Sequence, residues 1–182
     1  LLTPGNAGYD EARRVHNGMI DRRPALIAQC RSAADIAAAI GAAADAGLEV
    51  SVRGGGHNVA GRAVADGAVM VDLSPMKDVQ VDAAAKTIRA QGGVLWSELN
   101  AAAAEHGLAT TGGAISSTGI AGLTLGGGLG WLMAKYGLAA DNLVVRRQGK
   151  GTFVATHAEQ HVQYRFLRLM PDEGNLDSEG PA

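Results

Sequence analysis

The sequence predicts an α+β fold. In the first hundred residues, alanine-rich helical stretches interleave with short runs of β-branched residues. Some of these runs are local pairs, such as the two around the turn at 82–86, and others are joined by a helical crossover. The third observation is glycine: 26 of 182 residues, about 14% against a usual ~7%, gathered in a few loops that punctuate the elements.

In chain order, residues 3–24 read as a short polar helix between turns, charge-rich from Tyr9 to His16 and ended by Pro24. Leu26 to Cys30 is an apolar strand. Ser32-Ala-Ala-Asp35 resembles a capping box with Asp in place of Glu. The alanines that follow make Ala33 to Ala46 a helix, because alanine loses least on becoming helical. Gly47 suits the C′ position. Glu49 to Arg53 alternates as a strand does and runs straight into Gly54-Gly55-Gly56-His57-Asn58.

Val69 to Leu73 is another strand, and Val79–Val81 and Thr87–Arg89 flank a turn. Leu95 to His106 is an amphipathic helix followed by Gly107, with Leu95, Leu99 and Ala102 on one face. From Gly107 to Ala134 there is no charged residue, and nine glycines fall there. Residues 145–151 are basic and loop-like. The end, 171–182, is acidic, rich in Pro and Gly, and expected to be disordered.

Composition excludes several classes. With 5 prolines and no G-X-Y period the chain is not collagen, and 47% apolar residues rule out a disordered tail. A net charge of −2, from 16 basic and 18 acidic residues, supplies no field for nucleic acid or an anionic membrane. The single cysteine, Cys30, excludes an intramolecular disulfide framework and a cysteine-rich zinc site. The first residues have neither a basic nor an apolar signal region, so a cytoplasmic location is expected. Gly122, Gly126 and Gly130 are spaced like a membrane helix-packing motif. The nine glycines, with Ser116, Ser117, Thr118 and Thr124, oppose a stable span.

Two glycine clusters remain: Arg53 to Asn58, and Gly112 to Trp131. Glycine permits close approach of main chain to a ligand, and successive N–H groups can converge on an anion. Neither G-x-G-x-x-G nor a Walker loop is present, since Gly149-Lys150 precedes Gly151. A tight turn alone suits one triplet; two triplets, one ending in His-Asn, favour a ligand.

In this order and spacing the clusters resemble the FAD-binding domain (PCMH type) of FAD-linked oxidases of the vanillyl-alcohol oxidase and berberine-bridge-enzyme type. Thr3-Pro-Gly, Tyr9-Asp10, Asn17 to Pro24, Asp72-Leu-Ser74-Pro-Met76, Gln91-Gly-Gly93, Lys135-Tyr-Gly137 and Asp141-Asn-Leu143 fit as well. The resemblance covers residues 3–144. It implies two α+β subdomains holding FAD between them, without the substrate domain of complete members.

The implied activity is an FAD-dependent oxidoreductase of the oxidase type. Hydride passes from an alcohol or amine carbon of a small-molecule substrate to FAD, and oxygen reoxidises the flavin. The alternative is a truncated flavin-binding module without turnover. The resemblance makes Arg53, Gly54, Gly55, Gly56 and Asn58 a pyrophosphate cradle and joins His57 covalently to the flavin 8-methyl carbon, an electrophile that a neutral imidazole can attack. Ser74, Gly113, Thr118, Gly119, Gly122, Gly126, Gly127, Gly128 and Gly130 line the rest of the cofactor. Some relatives carry a second link from a cysteine whose place here falls near Ile115, so at most one link is expected. Catalytic residues of the substrate domain have no counterpart.

After Val144 the match stops, and residues 145–182 form a divergent or disordered tail. His157 and His161 share a helix face but fit no zinc motif, and a solvated face is expected. His16 and His106 read as surface or capping residues, Arg146, Arg147 and Lys150 as a solvated loop, and Cys30 as a buried apolar residue. Trp96 and Trp131 read as packing residues, Trp131 also beside the flavin.

Overall fold

The structure, a computed structural model, describes residues 1–147, 151–154, 162–165 and 167–168. Helix α1 (Tyr9–Ala12) is shorter than the charge-rich stretch predicts. The backbone N–H of His16 donates to the Gly56 carbonyl at 3.0 Å instead of continuing a helix. Buried Tyr9 anchors α1 by donating its hydroxyl to the Pro24 carbonyl at 2.6 Å, and Arg13 ties Asp10 to Asp21.

A parallel unit follows: β1 (Leu26–Gln29), α2 (Ala33–Asp45), β2 (Val50–Arg53) and β3 (Val69–Asp72). The strand order is β1-β3-β2, every pairing parallel. All four residues of β3 are buried, as expected of the middle strand. The α2 face bearing Ala39 packs with Ala28, Cys30, Val71 and Met76. Cys30 is buried, as its apolar surroundings predict.

The capping box forms as expected. The Ser32 hydroxyl accepts from the Asp35 N–H at 3.2 Å, and the Asp35 carboxylate accepts from the Ser32 N–H at 3.0 Å. Gly47 takes φ +64° behind the helix. Ser32→Ala is expected to cost about 1 kcal/mol by removing an N-cap acceptor. Urea unfolding monitored by circular dichroism checks this, and an unchanged midpoint would show that the cap contributes nothing.

The second unit begins with the antiparallel hairpin β4 (Val79–Asp82) and β5 (Thr87–Ala90). Helix α3 (Trp96–Ala104) buries Trp96, Leu99 and Ala103; of the expected face, Leu99 is in the core, Ala102 packs half-buried against it and Leu95 precedes the helix. The helix starts at Trp96, and Leu95 sits before its first turn, held by its N–H to the Glu98 carboxylate at 2.7 Å. Trp96, Leu99 and Ala103 join Ile88, Val94 and Ile120 in the core.

Then come β6 (Leu108–Ala109), α4 (Ile120–Leu125), α5 (Met133–Tyr136) and α6 (Ala139–Leu143). Of the basic stretch read as a loop, Val145 to Arg147 instead belong to β7 (Val144–Arg147), paired antiparallel with β8 (Gly151–Val154), and residues 148–150 lie outside the described residues. The β-branched and aromatic residues Val144, Val145, Thr152, Phe153 and Val154 favour that pairing over a loop. Beyond residue 145, β9 (Val162–Arg165) also pairs with β5, and β10 (Leu167–Arg168) with β6. His157, His161 and the acidic end at 171–182 lie outside the described residues.

Candidate functional site

The parallel order places Arg53, at the end of β2, beside Asp72, at the end of β3. The chain leaves that edge as Gly54-Gly55-Gly56-His57-Asn58, the carboxyl edge where open parallel sheets take ligands. Among the described residues, the N–H groups from Gly54 to His57 have no protein acceptor. Gly56 bends the loop with φ +68°.

The second glycine cluster meets this loop main chain to main chain. A Cβ on Gly55 would stand 2.6 Å from the Gly119 Cα, and one on Gly119 would stand 2.9 Å from the Gly55 Cα. A cleft of about 550 Å³ opens here, a volume suited to a small-molecule ligand. Gly54, Gly55, Gly56, His57 and Asn58 form one wall; Thr118, Gly119, Gly122, Gly126 and Gly128 form part of the other. Gly122 has no protein atom within 4 Å of a would-be Cβ, so its main chain is open to a ligand.

The His57 imidazole is half-buried. Its Nε2 lies 3.0 Å from the Ser117 hydroxyl, and its ring stacks on His16 with centroids 3.8 Å apart and planes at 16°. Burial, then the neighbouring His16, holds its pKa below the ordinary histidine value. The ring is therefore neutral near pH 7, the form that acts as a nucleophile.

The other expected residues are placed differently. The Arg53 side chain turns back to donate to the Ala12 carbonyl at the end of α1. Its hollow, about 410 Å³, also contains Ser74, whose hydroxyl donates to the buried Asp72 carboxylate at 3.0 Å. Gly113 lines a third hollow, about 290 Å³, with Trp96 and Trp131. Gly127 and Gly130 line none of these three. Gly130 is needed for packing, since its Cβ would stand 2.7 Å from the Gly112 carbonyl carbon. Ile115, at the place of the relatives' second cysteine, is 58% exposed.

Trp131 does not pack as expected: it is 86% exposed, and it borders the hollow beside Trp96, Gly112 and Gly113. Sequence reasoning missed His16 and Ser117, and also Arg62 and Leu129 on the cleft. Among the described residues that line the cleft, Arg62 is the one charged residue, and it is exposed. Only the residue types could have pointed to His16 and Ser117, because their contacts with His57 are non-local.

No helix among the described residues is long and apolar enough to cross a membrane. No group of three His, Cys, Asp or Glu side chains among them could hold a metal ion.

A parallel unit and an antiparallel unit, meeting at a cleft walled by glycine main chain, define a dinucleotide-binding domain. The family described as FAD binding domain matches residues 24–147, and the chain belongs to it. It is 42% identical over 144 residues to (R)-6-hydroxynicotine oxidase of Paenarthrobacter nicotinovorans, covering 79% of this chain and 31% of that protein. An FAD-linked oxidoreductase of Aspergillus terreus is 44% identical over 100 residues, covering 55% of this chain and 20% of its own length. The crystal structure of 6-hydroxy-D-nicotine oxidase from Arthrobacter nicotinovorans superposes with a TM-score of 0.82 at 34% identity. That match covers 92% of this chain and 42% of the other. The chain thus spans about a third of the length of the first of these relatives.

Proposed function

We propose that this chain is the FAD-binding part of an FAD-dependent oxidoreductase of the oxidase type. The carrying observation is the run of unpartnered main-chain N–H donors from Gly54 to His57 on the cleft wall. Such a run suits the diphosphate of a dinucleotide. The open face of Gly122 allows main chain to approach the same ligand.

Gly54 to Asn58, with Thr118, Gly119, Gly122, Gly126 and Gly128, would hold the cofactor. Arg53, Gly127 and Gly130 would shape the cradle from behind, and Ser74 and Gly113 would border it. When bound, FAD supplies a hydride acceptor whose electrons pass on to oxygen. The substrate of the whole protein would offer an alcohol or amine carbon.

His57 would carry the flavin covalently. Its neutral imidazole would supply the nucleophile for the 8-methyl carbon; the bond would release one proton from the imidazole and one from that carbon, and molecular oxygen would take the two electrons. The test is to incubate the purified chain with FAD, precipitate it with acid and measure flavin in the pellet. A yellow pellet is expected from the wild type and a colourless one from His57→Ala. A chain that never binds FAD would overturn the proposal.

A further inference from the structure

The segment containing His16 is fastened to the His57 loop on both sides of His57. The His16 N–H donates to the Gly56 carbonyl at 3.0 Å, and the Asn17 side-chain amide donates to the Val59 carbonyl at 2.8 Å. The His16 ring is thereby laid flat against the His57 ring, 3.8 Å between centroids. From the other glycine cluster, the Ser117 hydroxyl pins Nε2 at 3.0 Å.

We infer that His16 and Ser117 are positioning residues that clamp the His57 imidazole for its bond to the flavin. A histidine on a loop has several staggered side-chain wells to choose among. A stacked neighbour fixes the plane of the ring, and a hydrogen bond at one nitrogen fixes its rotation within that plane. In the tautomer in which Ser117 accepts from the Nε2 N–H, the lone pair lies on Nδ1 and is free to attack. Nδ1 has no protein partner among the described residues. The clamp holds the nucleophile near its attacking geometry before the electrophile arrives, where small misplacements are expensive in rate.

The inference rests on the covalent reading of His57. It assigns no new contact to the flavin: both residues act through the imidazole.

The experiment uses the full chain with FAD and two readouts. One is the early, non-covalent affinity, from flavin fluorescence before any bond forms. The other is the rate at which flavin becomes acid-precipitable. His16→Ala and Ser117→Ala are each expected to slow covalent incorporation roughly tenfold. Both should keep the non-covalent affinity within about twofold, since neither residue is placed on the ligand. His16→Phe restores a flat ring and is expected to return the rate to within about twofold of wild type.

Wild-type rates in both alanine variants would overturn the clamp. Affinity lost in step with rate would also overturn it, by showing a general role in shaping the loop. Failure of His16→Phe to rescue would overturn the stacking half. A wild-type chain that binds FAD but never links it would instead overturn the covalent reading, and the clamp with it. That outcome is recognised in the wild type alone.

Discussion

Gly119→Ala is expected to abolish FAD binding and to destabilise the chain by about 3 kcal/mol, the upper end of ordinary overpacking. The added methyl would stand 2.9 Å from the Gly55 Cα, with the Gly55 nitrogen closer still. Backbone cannot rotate aside as a side chain can. Gly119 is held between two hydrogen bonds, from the Trp96 N–H to the Thr118 carbonyl and from the Ile120 N–H to the Val94 carbonyl, each 3.0 Å. Gly55 lies only two residues beyond the end of β2. Gly55→Ala makes the same collision from the other side, with 2.6 Å to the Gly119 Cα, and should behave alike.

The informative control is Gly122→Ala, where no protein atom lies within 4 Å of the new methyl. Its stability should be unchanged or slightly higher, because alanine is the better helix former, while its FAD affinity falls. Thermal denaturation and FAD titration of the three variants separate glycines that close the fold from glycines that admit the ligand. Gly119→Ala with wild-type melting and FAD affinity would refute the main-chain contact.

Trp96→Ala is expected to cost about 3–5 kcal/mol, a large part of the ~5–15 kcal/mol that holds a typical domain together. The indole is 1% exposed and packs with Ile88, Leu99, Leu108 and Ile120. Gly112 and Gly113 lie so close to it that a Cβ at Gly113 would stand 3.1 Å from the ring. Removing the indole therefore opens a cavity in the core and also frees the start of the second glycine cluster. Trp131→Ala, at a site 86% exposed, should change stability by no more than about 0.5 kcal/mol. Urea unfolding of the two variants tests the contrast, and equal midpoints would contradict it.

Much of the fold is legible in local pattern. Ser32 and Asp35 announce the start of α2, Gly47 its end, and the alternation around residues 82–86 the β4–β5 hairpin. Strand order is not legible, because nothing in the strand except the apolar run Val69–Val71 says that β3 inserts between β1 and β2. The α3 face is only partly legible: Leu99 and Ala102 meet the core, but Leu95 precedes the first turn and Trp96 takes the buried place. The strand at 144–147 is hidden by Arg146 and Arg147, whose charge reads as a loop.

At the site, the glycine clusters are visible from composition and order alone. Their division of labour is not. Gly119 and Gly130 pack against backbone while Gly122 stays open, and that distinction exists only once the two loops are brought together. His16 escapes for the same reason: it reads as a surface histidine, and it is exposed, yet its ring covers His57.

The contact between His57 and Ser117 joins positions 60 residues apart in the chain. At a ribosome making ~5–20 residues per second, His57 therefore waits about 3–12 s before Ser117 is even synthesised. On the covalent reading, the nucleophile would be made before its holder. A flavin arriving in that interval would meet a bare loop, so attachment would follow translation of the second glycine cluster. In cells short of FAD, the chain would finish folding around an empty cleft and take up its cofactor later.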